Sequence, residues 1–498
     1  MDCVIIMISS PLIEVFRATG VVFDKPVVGI VPYQHIERGI SLPPEEEKKF
    51  GKLLSIPSYY AEQRDSLQRM SWAELDAEQL AVEERLGLKN NNMVVSYDRD
   101  FLNVSDYRTS RELQLMYLRF TEMLFAQYSP SAIILGRESY LRSLITDTGL
   151  RRGIPAFHVF MAARTMGLRL ATFDPKGQQA GMEDVFNQLT AGDLAACDTE
   201  TAALADRDYD AFVNRPKQPV YATPYTPSFL RSVTIALTTG LRHILAGAIR
   251  YAMHPFDRHI GALPSPLSLL ARWPQKALRM YLLDYSNLTH KRPDYSMKYI
   301  YLPLHYTPEE TDMYYGREYS HHEGFIVNLA RRIPSDTCLY VKDNPFMLGN
   351  RPLSFYRNLN KLHNVYIVHN HTNTFELINN AQAVLTVVGT AGWEGYLLNR
   401  PVVVLGDVFY NFLPGVLYTS LCDPAFTERL VSYLREFKPD PQERRLALRA
   451  CYASSLYLGQ ATGGQSNQSV EEQNAYAISR LALTLMNRYR AQLSQPRD

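Results

Sequence analysis

Short runs of apolar, β-branched residues alternate with helix-like segments through the second half of the chain. The strands predicted from them are YIYLPL, TCLYVK, NVYIV, AVLTVV and PVVVLG, at 299–304, 337–342, 364–368, 383–388 and 401–406. The intervening segments predict helices at 318–332, 352–362, 374–381 and 389–399. Alternation of this kind is typical of a parallel sheet with helices on both faces. Five strands with four crossovers predict one Rossmann-like domain.

The first half repeats this pattern less regularly. Strands are predicted at 27–32, 93–97, 131–136 and 155–160, after a buried strand at the start of the chain, and helices at 72–88 and 111–128. Residues 228–284 are rich in Leu, Ala and Arg, and four prolines predict that they form short connecting helices. A flexible linker at 459–469 precedes a helix whose apolar stripe would pack back on the first domain.

These patterns predict four parts of an α/β chain. Residues 1–225 would form the first α/β domain and 226–295 a helical connector. Residues 296–455 would form the second Rossmann-like domain, and 456–498 the linker and the final helix.

The composition excludes several classes of protein. The chain has 498 residues, of which 46% are hydrophobic, and a net charge of +1, so no overall field attracts nucleic acid. Five scattered cysteines without CxxC spacing disfavour a disulfide framework and favour a reducing compartment. No apolar run reaches the ~18 residues of a membrane span. We therefore predict a cytoplasmic protein, soluble or peripheral on the inner face of the membrane.

The strongest local motif is VVGTAGWEG, where a predicted strand ends and a helix begins. Gly389, Thr390 and Gly392 would let a ligand approach the backbone, and the N–H groups at the helix start favour a phosphate. Glu394, in the first turn, could accept hydrogen bonds from sugar or ribose hydroxyls. The alternative is a strand–helix turn that needs glycine only for tight packing.

Two further polar loops follow strands of the same predicted sheet. One contains His305 and Glu309, and the other contains Lys342 and Asn344. Because the carboxyl ends of parallel strands share one sheet edge, these loops would converge on a ligand crevice. Lys342 could neutralise a phosphate, and His305 could donate to it or to a sugar oxygen. Each residue alone could equally be a solvated loop residue.

Other candidate residues point to a general base and to a lipid surface. Glu138 follows the strand predicted at 131–136 and could activate an acceptor hydroxyl, or it could merely offset a helix dipole. Residues 228–284 contain seven Lys or Arg and two Asp, so they could rest on anionic lipid or pack between domains. The histidine pairs lack zinc-site spacing and no GxSxG motif is present, so we predict no metal and no serine hydrolase.

The strings PLHYTPEE, YVKDNP and FYRNLNKLHNV, and the run from TFELINNAQ through GTAGWEGYLLNRPVVVLGDVFY, resemble the capsule polysaccharide biosynthesis proteins, which include capsular β-Kdo glycosyltransferases. The resemblance is dense over 300–412 and fainter over 90–175. It implies a GT-B-like architecture, in which two Rossmann-type domains face each other across a cleft. The second domain would hold a nucleotide-sugar donor, with a CMP-sugar favoured, and the first would hold the acceptor.

The resemblance also implies roles for single residues. Gly389, Thr390 and Gly392 would cradle the donor phosphate, and Glu394 would face the donor. The pocket would be lined by His305, Glu309 and Lys342. Relatives carry Lys-acidic-His-Pro where this chain has Lys342-Asp343-Asn344-Pro345, so Asn344 replaces the His expected at the donor phosphate.

We therefore predict a glycosyltransferase that moves a sugar, Kdo or a related acidic sugar, from a nucleotide donor to a glycan or glycolipid in capsule biosynthesis. Its predicted partners are that donor and acceptor, the inner membrane surface and other capsule proteins, with no permanent cofactor and no nucleic acid. The catalytic candidates are Glu138, His305, Lys342 and Asn344. Two alternatives stay open: a nucleotide-sugar epimerase on the same scaffold, and a degenerate sugar-nucleotide-binding subunit.

Overall fold

Two separate β-sheets organise the chain in its computed structural model. The structure describes residues 2–7, 25–37, 51–88, 106–135, 139–162, 169–174, 177–214, 244–284, 290–307 and 315–457, with the single positions 22, 95, 98, 101, 104, 242 and 483. One sheet has seven strands and the other six. The predicted α/β class with two Rossmann-like sheets is confirmed.

The first sheet begins at the start of the chain. Its first six strands are β1 Asp2–Met7, β2 Val27–Val31, β3 Gly51–Ser55, β4 Ser129–Leu135, β5 Ala156–Ala162 and β6 Arg169–Phe173. They lie in the order β3–β2–β1–β4–β5–β6, all parallel except the antiparallel β6. The strand predicted at 93–97 lies outside the described residues except for Val95, which is helical.

Helices of the first half begin and end where local signals place them. They are α1 Gln34–Glu37, α2 Ile56–Arg69, α3 Trp72–Leu86, α4 Tyr107–Gln127 and α5 Tyr140–Arg151. Ser71 and Glu74 form a capping box at the start of α3, and Gly87 ends it in a left-handed conformation. Both helices predicted here are confirmed, and α4 begins early because Asp106 caps it.

The second sheet is entirely parallel. Its strands are β7 Tyr299–Pro303, β8 Cys338–Lys342, β9 Val365–Val368, β10 Ala383–Thr386, β11 Val402–Val404 and β12 Val416–Tyr418, in the order β9–β8–β7–β10–β11–β12. All five predicted strands are confirmed. The order along the chain is 3-2-1-4-5-6, as in dinucleotide-binding sheets, and it reverses between β7 and β10.

Further helices come from the later part of the chain, in addition to a helical stretch at 244–253. They are α6 Met182–Thr190, α7 Thr199–Asn214, α8 Pro255–His259, α9 Pro266–Asp284, α10 His322–Ala330, α11 Leu353–Leu359, α12 Thr374–Asn380, α13 Thr390–Leu397, α14 Phe426–Glu436 and α15 Pro441–Ala453. The prediction that Pro274 interrupts a helix is wrong, because α9 continues through it.

The end of the described chain returns to the first sheet. A last strand, β13 Ser455–Tyr457, pairs antiparallel with β6, and α15 packs against α6 and α7. The Gln179 side-chain amide secures this crossing by donating to the carbonyl of Cys451 at 2.9 Å and to the hydroxyl of Ser454 at 2.7 Å. The helix predicted after residue 469 lies outside the described residues.

Two further findings bear on the expected environment of the protein. None of the five cysteines, all of which lie within the described residues, forms a disulfide, and Cys422 is the exposed one among them. Across the part of the chain that the structure describes, every helix is too short or too polar to cross a bilayer.

Candidate functional site

The second sheet brings two of the predicted loops together at the point where its strand order reverses. In open parallel sheets, ligands bind beyond the carboxyl ends of the strands at such a point. Here β7 leads into His305 and β10 leads into Gly389. Nε2 of His305 accepts from the backbone N–H of Val388 at 3.4 Å, and a β-carbon at Gly389 would lie 3.0 Å from Cε1 of His305. The contact between these two loops therefore agrees with the sequence prediction.

Helix α13 starts at this point without a side-chain cap. Gly389 is its N-cap residue, in extended conformation, and no side chain accepts from the first N–H groups of the helix. The N–H of Gly389 itself donates to Oγ1 of Thr386 at 2.9 Å, and that of Gly392 donates to the Gly389 carbonyl at 3.3 Å. The N–H groups of Thr390 and Ala391 have no partner within the helix, so they are the ones that can bind an anion.

Gly392 is glycine for a different reason from the one its motif suggests. A β-carbon there would overlap the hydroxyl oxygen of Tyr410 and lie 2.9 Å from the methyl group of Thr386. Tyr410 is buried, and its hydroxyl donates to the carbonyl oxygen of Gly389 at 2.7 Å. Close packing, the alternative that the sequence left open, therefore accounts for glycine at position 392.

Glu394 lies deeper in the protein than the sequence suggests. It is the fifth residue of α13 and is 6% exposed, so the prediction of a first-turn position is wrong. Burial raises the pKa of its carboxyl to about 8, and the charge of Lys342 acts in the opposite direction. The buried hydroxyls of Tyr301 and Tyr410 interact electrostatically with the same carboxyl. Glu394 therefore belongs to a buried polar cluster behind the strand ends.

Lys342 forms the other half of this cluster. Its Nζ donates to the carbonyl of Thr372 at 2.6 Å and to Oγ1 of Thr374 at 2.8 Å, and the residue is 6% exposed. Burial lowers the pKa of Lys342 to about 8, although Glu394 favours its charged form. The amine thus ties the end of β8 to the start of α12, and the structure gives it an internal role.

Asn344 also has a structural role in the loop after β8. Its Oδ1 accepts from the backbone N–H of Phe346 at 3.0 Å and so caps the 3-10 turn Pro345–Met347. The residue is half-buried. The side-chain oxygen is therefore used in shaping the loop that was predicted to meet the donor phosphate.

A buried ion pair between Asp343 and Arg351 joins the loops after β7 and β8. The sequence did not predict this pair as part of the site. The carboxylate of Asp343 accepts from Nε of Arg351, with both oxygens at 3.1 Å, and from the Tyr356 hydroxyl at 2.6 Å. Nη2 of Arg351 donates to the carbonyl of His305 at 3.1 Å and lies 2.7 Å from Nδ1 of His322. Arg351 therefore positions the backbone that carries His305.

Two predicted site residues, Glu138 and Glu309, lie outside the described residues. Their roles as acceptor base and pocket-lining residue stay predictions. Within the described ranges, no three His, Cys, Asp or Glu side chains are grouped to hold a metal ion.

A comparison with solved structures found matches of low similarity over much of the chain. Two of them are from Thermosulfurimonas dismutans. The KpsC β-Kdo 2,7 transferase is 10% identical, with 73% of this chain and 89% of that chain covered and a TM-score of 0.35. The KpsC β-Kdo 2,4 transferase is 15% identical, with 72% of this chain and 93% of that chain covered and a TM-score of 0.34. The UDP-GlcNAc 2-epimerase from Methanocaldococcus jannaschii has 11% identity, coverage of 90% and 99%, and a TM-score of 0.23. These values assign no activity to this chain.

A comparison with curated proteins found no significant match. A comparison with protein families did find one: residues 270–428 match the family described as capsule polysaccharide biosynthesis protein. The matched range contains the whole second sheet and the meeting point of His305 with the start of α13. The match of residues 270–428 to the capsule polysaccharide biosynthesis protein family agrees with the resemblance found in the sequence.

Proposed function

We propose that the protein is a glycosyltransferase of surface polysaccharide assembly that binds a nucleotide-sugar donor where the second sheet reverses its strand order. The observation that carries the proposal is the meeting of His305 with the uncapped start of α13 at that point. The family match over 270–428 supports a role in capsule biosynthesis. The finer identity of the donor, a CMP-sugar such as CMP-Kdo, rests on the sequence resemblance.

The donor phosphate would bind at the start of α13. The N–H groups of Thr390 and Ala391 point out of the first helical turn, where the helix dipole also favours negative charge. Thr390 is exposed, so a ligand can reach this position. This assignment keeps Thr390 as a binding residue and makes Gly389 and Gly392 shape the loop rather than contact the phosphate.

His305 would act on the departing phosphate from the neighbouring loop. Because Nε2 accepts from Val388, the neutral ring carries its proton on Nδ1, which is a hydrogen-bond donor. Such a donor, held in place before the reaction, stabilises negative charge that develops as the sugar–phosphate bond breaks. Lys342 and Glu394 would hold the strand ends in place from behind, and Asn344 would shape the adjoining loop.

The acceptor side of the reaction depends on residues that the structure leaves undescribed. In this proposal Glu138, which follows β4 of the first sheet, removes the proton from the acceptor hydroxyl, and Glu309 lines the donor pocket. The proton would pass to the carboxylate as the new glycosidic bond forms, and the nucleotide would leave with the electron pair of the broken bond.

A thermal-shift panel of CMP-, UDP-, GDP- and dTDP-sugars tests donor binding first. A ligand at ~100 times its Kd adds about 2.7 kcal/mol to the stability of the native state, which is readily measured. Nucleotide release with the preferred donor is then followed with and without a glycan acceptor. Acceptor-dependent release supports the proposal.

Three results would contradict it. Conversion of the donor without an acceptor would identify an epimerase. Binding without turnover would identify a sugar-nucleotide-binding subunit. If no nucleotide sugar stabilises the protein, the assignment of a donor site at the start of α13 is contradicted.

A further inference from the structure

Helix α9 presents an apolar stripe to solvent. Leu267, Leu270, Leu278 and Tyr281 are 79%, 52%, 59% and 44% exposed, and Pro274 between them is exposed as well. Leu270 and Leu278 are eight residues apart and the other neighbouring pairs three, and Pro274 divides the longer interval into two steps of four, so all five residues lie on one face of the helix. In a globular protein such a face normally packs on the core, so its exposure indicates a docking surface.

A second helical segment extends this surface. Leu245, Ile249 and Met253 recur every four residues in the helical stretch 244–253 and are 61%, 59% and 50% exposed. The two segments lie side by side, since a β-carbon at Gly247 would lie 2.8 Å from Cδ1 of Leu269. We call these seven exposed residues the apolar surface: Leu245, Ile249, Met253, Leu267, Leu270, Leu278 and Tyr281.

A different side of α9 contacts the second half of the chain. A β-carbon at Gly349 would lie 2.5 Å from Cγ of Met280 and 2.6 Å from the carbonyl oxygen of Lys276. Gly349 lies two residues before Arg351, whose side chain positions the His305 backbone. The helix therefore rests on the loop of the candidate site with one side and leaves its apolar stripe uncovered.

The charges around the apolar surface are basic. Among the described side chains of 244–284, the exposed charged ones are Arg250, Arg258 and Arg272, and the half-buried ones are Lys276 and Arg279. The described acidic side chain in this range, Asp257, is fully buried and accepts from the backbone N–H of Gln34. Apolar side chains flanked by arginines match a membrane interface with anionic headgroups.

We propose that the apolar surface and its flanking arginines dock the protein on an anionic lipid bilayer. The leucines would enter the boundary between headgroups and acyl chains, and the arginines would lie among the headgroups. Because α9 also contacts the loop that leads to Arg351, docking would hold the candidate site close to the bilayer. Both alternatives that the sequence left open for 228–284 therefore apply to different faces: Asp257 and Met280 pack on the two halves of the chain, and the exposed apolar surface is available for lipid.

Flotation of the full chain with vesicles tests the proposal without donor or acceptor, so its outcome is independent of the proposed activity. Vesicles of phosphatidylcholine mixed with phosphatidylglycerol are compared with phosphatidylcholine alone, at low and high salt. The wild type should bind the mixed vesicles at low salt and dissociate from them as the salt concentration rises, because surface charges are screened within a Debye length. Each Arg near such a surface contributes about fivefold in affinity, so R250Q with R272Q should bind roughly 25-fold more weakly.

Matched variants separate the surface from general effects. L267Q with L278Q should abolish vesicle binding, whereas L80Q with L194Q should not, since Leu80 and Leu194 are 66% and 65% exposed elsewhere on the chain. R207Q with R357Q is the charge control, because both arginines are exposed outside this surface. Melting temperatures of all variants verify that they fold.

Any one of three results would overturn the proposal. The first is a wild type that does not bind anionic vesicles, and the second is binding by L267Q with L278Q that equals binding by L80Q with L194Q. The third is a lipid-free wild-type oligomer that L267Q with L278Q converts to monomers, because a second copy of the chain would then be the occupant.

Discussion

The hydroxyl of Tyr410 donates a 2.7 Å hydrogen bond to the carbonyl oxygen of Gly389, the residue on which helix α13 begins. The same hydroxyl fills the space that a side chain at Gly392 would need. A buried phenol therefore holds the start of α13 from inside the protein. This leaves the outward-facing N–H groups of the first turn in place before a ligand arrives.

Tyr410→Phe should lower the free energy of unfolding by about 1 kcal/mol, because one buried hydrogen bond is lost. Donor affinity should fall as well, since the start of α13 is less constrained. Tyr452→Phe is the matched control: its buried hydroxyl bonds Asp208 at 2.8 Å on α7, outside the site. Denaturation and calorimetric titration measure the two effects. Equal donor affinity in both variants would show that Tyr410 has no role in binding.

Gly392→Ala should destabilise the protein by about 1–3 kcal/mol, the usual cost of overfilling a packed core. The cost should be smaller in a Tyr410→Phe background, where the overlapping hydroxyl oxygen is absent. A double-mutant cycle measures this coupling. Strictly additive costs would mean that Tyr410 does not explain the glycine.

Asp343→Asn should cost about 3–5 kcal/mol, because it leaves the buried Arg351 guanidinium without its counter-charge. Asp336 offers a control, since its ion pair with Lys298 has both side chains about 60% exposed. Asp336→Asn should cost far less, because an exposed ion pair contributes little to stability. Urea denaturation compares them, and similar losses would contradict the role given to the Asp343–Arg351 pair.

Glu394→Gln should change how stability depends on pH. The folded-state pKa of Glu394 is raised from 4.5 to about 8, so the folded wild type loses stability as pH rises between these values. In the variant this loss is absent. The pKa of Lys342, already lowered to about 8, should fall further without the opposite charge. Both effects should raise the stability of the variant relative to that of the wild type as the pH rises from 5 to 8.

The gain should be a few kcal/mol, since each unit of pKa shift corresponds to about 1.4 kcal/mol, and it is obtained from denaturant unfolding at several pH values. A stability difference that stays constant over this range, or that moves in favour of the wild type, would show that Glu394 is not a raised-pKa carboxyl.

The sequence predicted the second sheet well because its strands are buried on both faces and read as continuous apolar runs. It missed β12, whose residues Val416–Tyr418 are partly exposed and carry a weak pattern. It also missed β13, a three-residue strand separated from its partner β6 by more than half of the chain. Long-range pairing of this kind leaves no local signal.

The meeting of the loops was predicted from the sequence more accurately than the positions of single side chains. The loops after β7 and β10 were expected to converge, because parallel strands share one edge for their carboxyl ends. The burial of Lys342 and Glu394 could not be read from the motif, since it depends on Thr372, Thr374 and Tyr410 from other loops. Arg351 had no signal either, because its partners Asp343 and His322 meet it only in the folded chain.

The most direct test of donor binding at the start of α13 is a calorimetric titration comparing Thr390→Pro with Thr390→Ala. Proline is favoured at the first helical position, and the extended Gly389 before it tolerates proline, so Thr390→Pro removes the N–H while keeping the helix. Thr390→Ala removes only the hydroxyl. We expect Thr390→Ala to bind the preferred nucleotide sugar nearly as the wild type does. Thr390→Pro should lose about 1.5–3 kcal/mol, the value of a hydrogen bond to a charged group. Unchanged affinity in a folded Thr390→Pro variant would contradict phosphate binding at this helix.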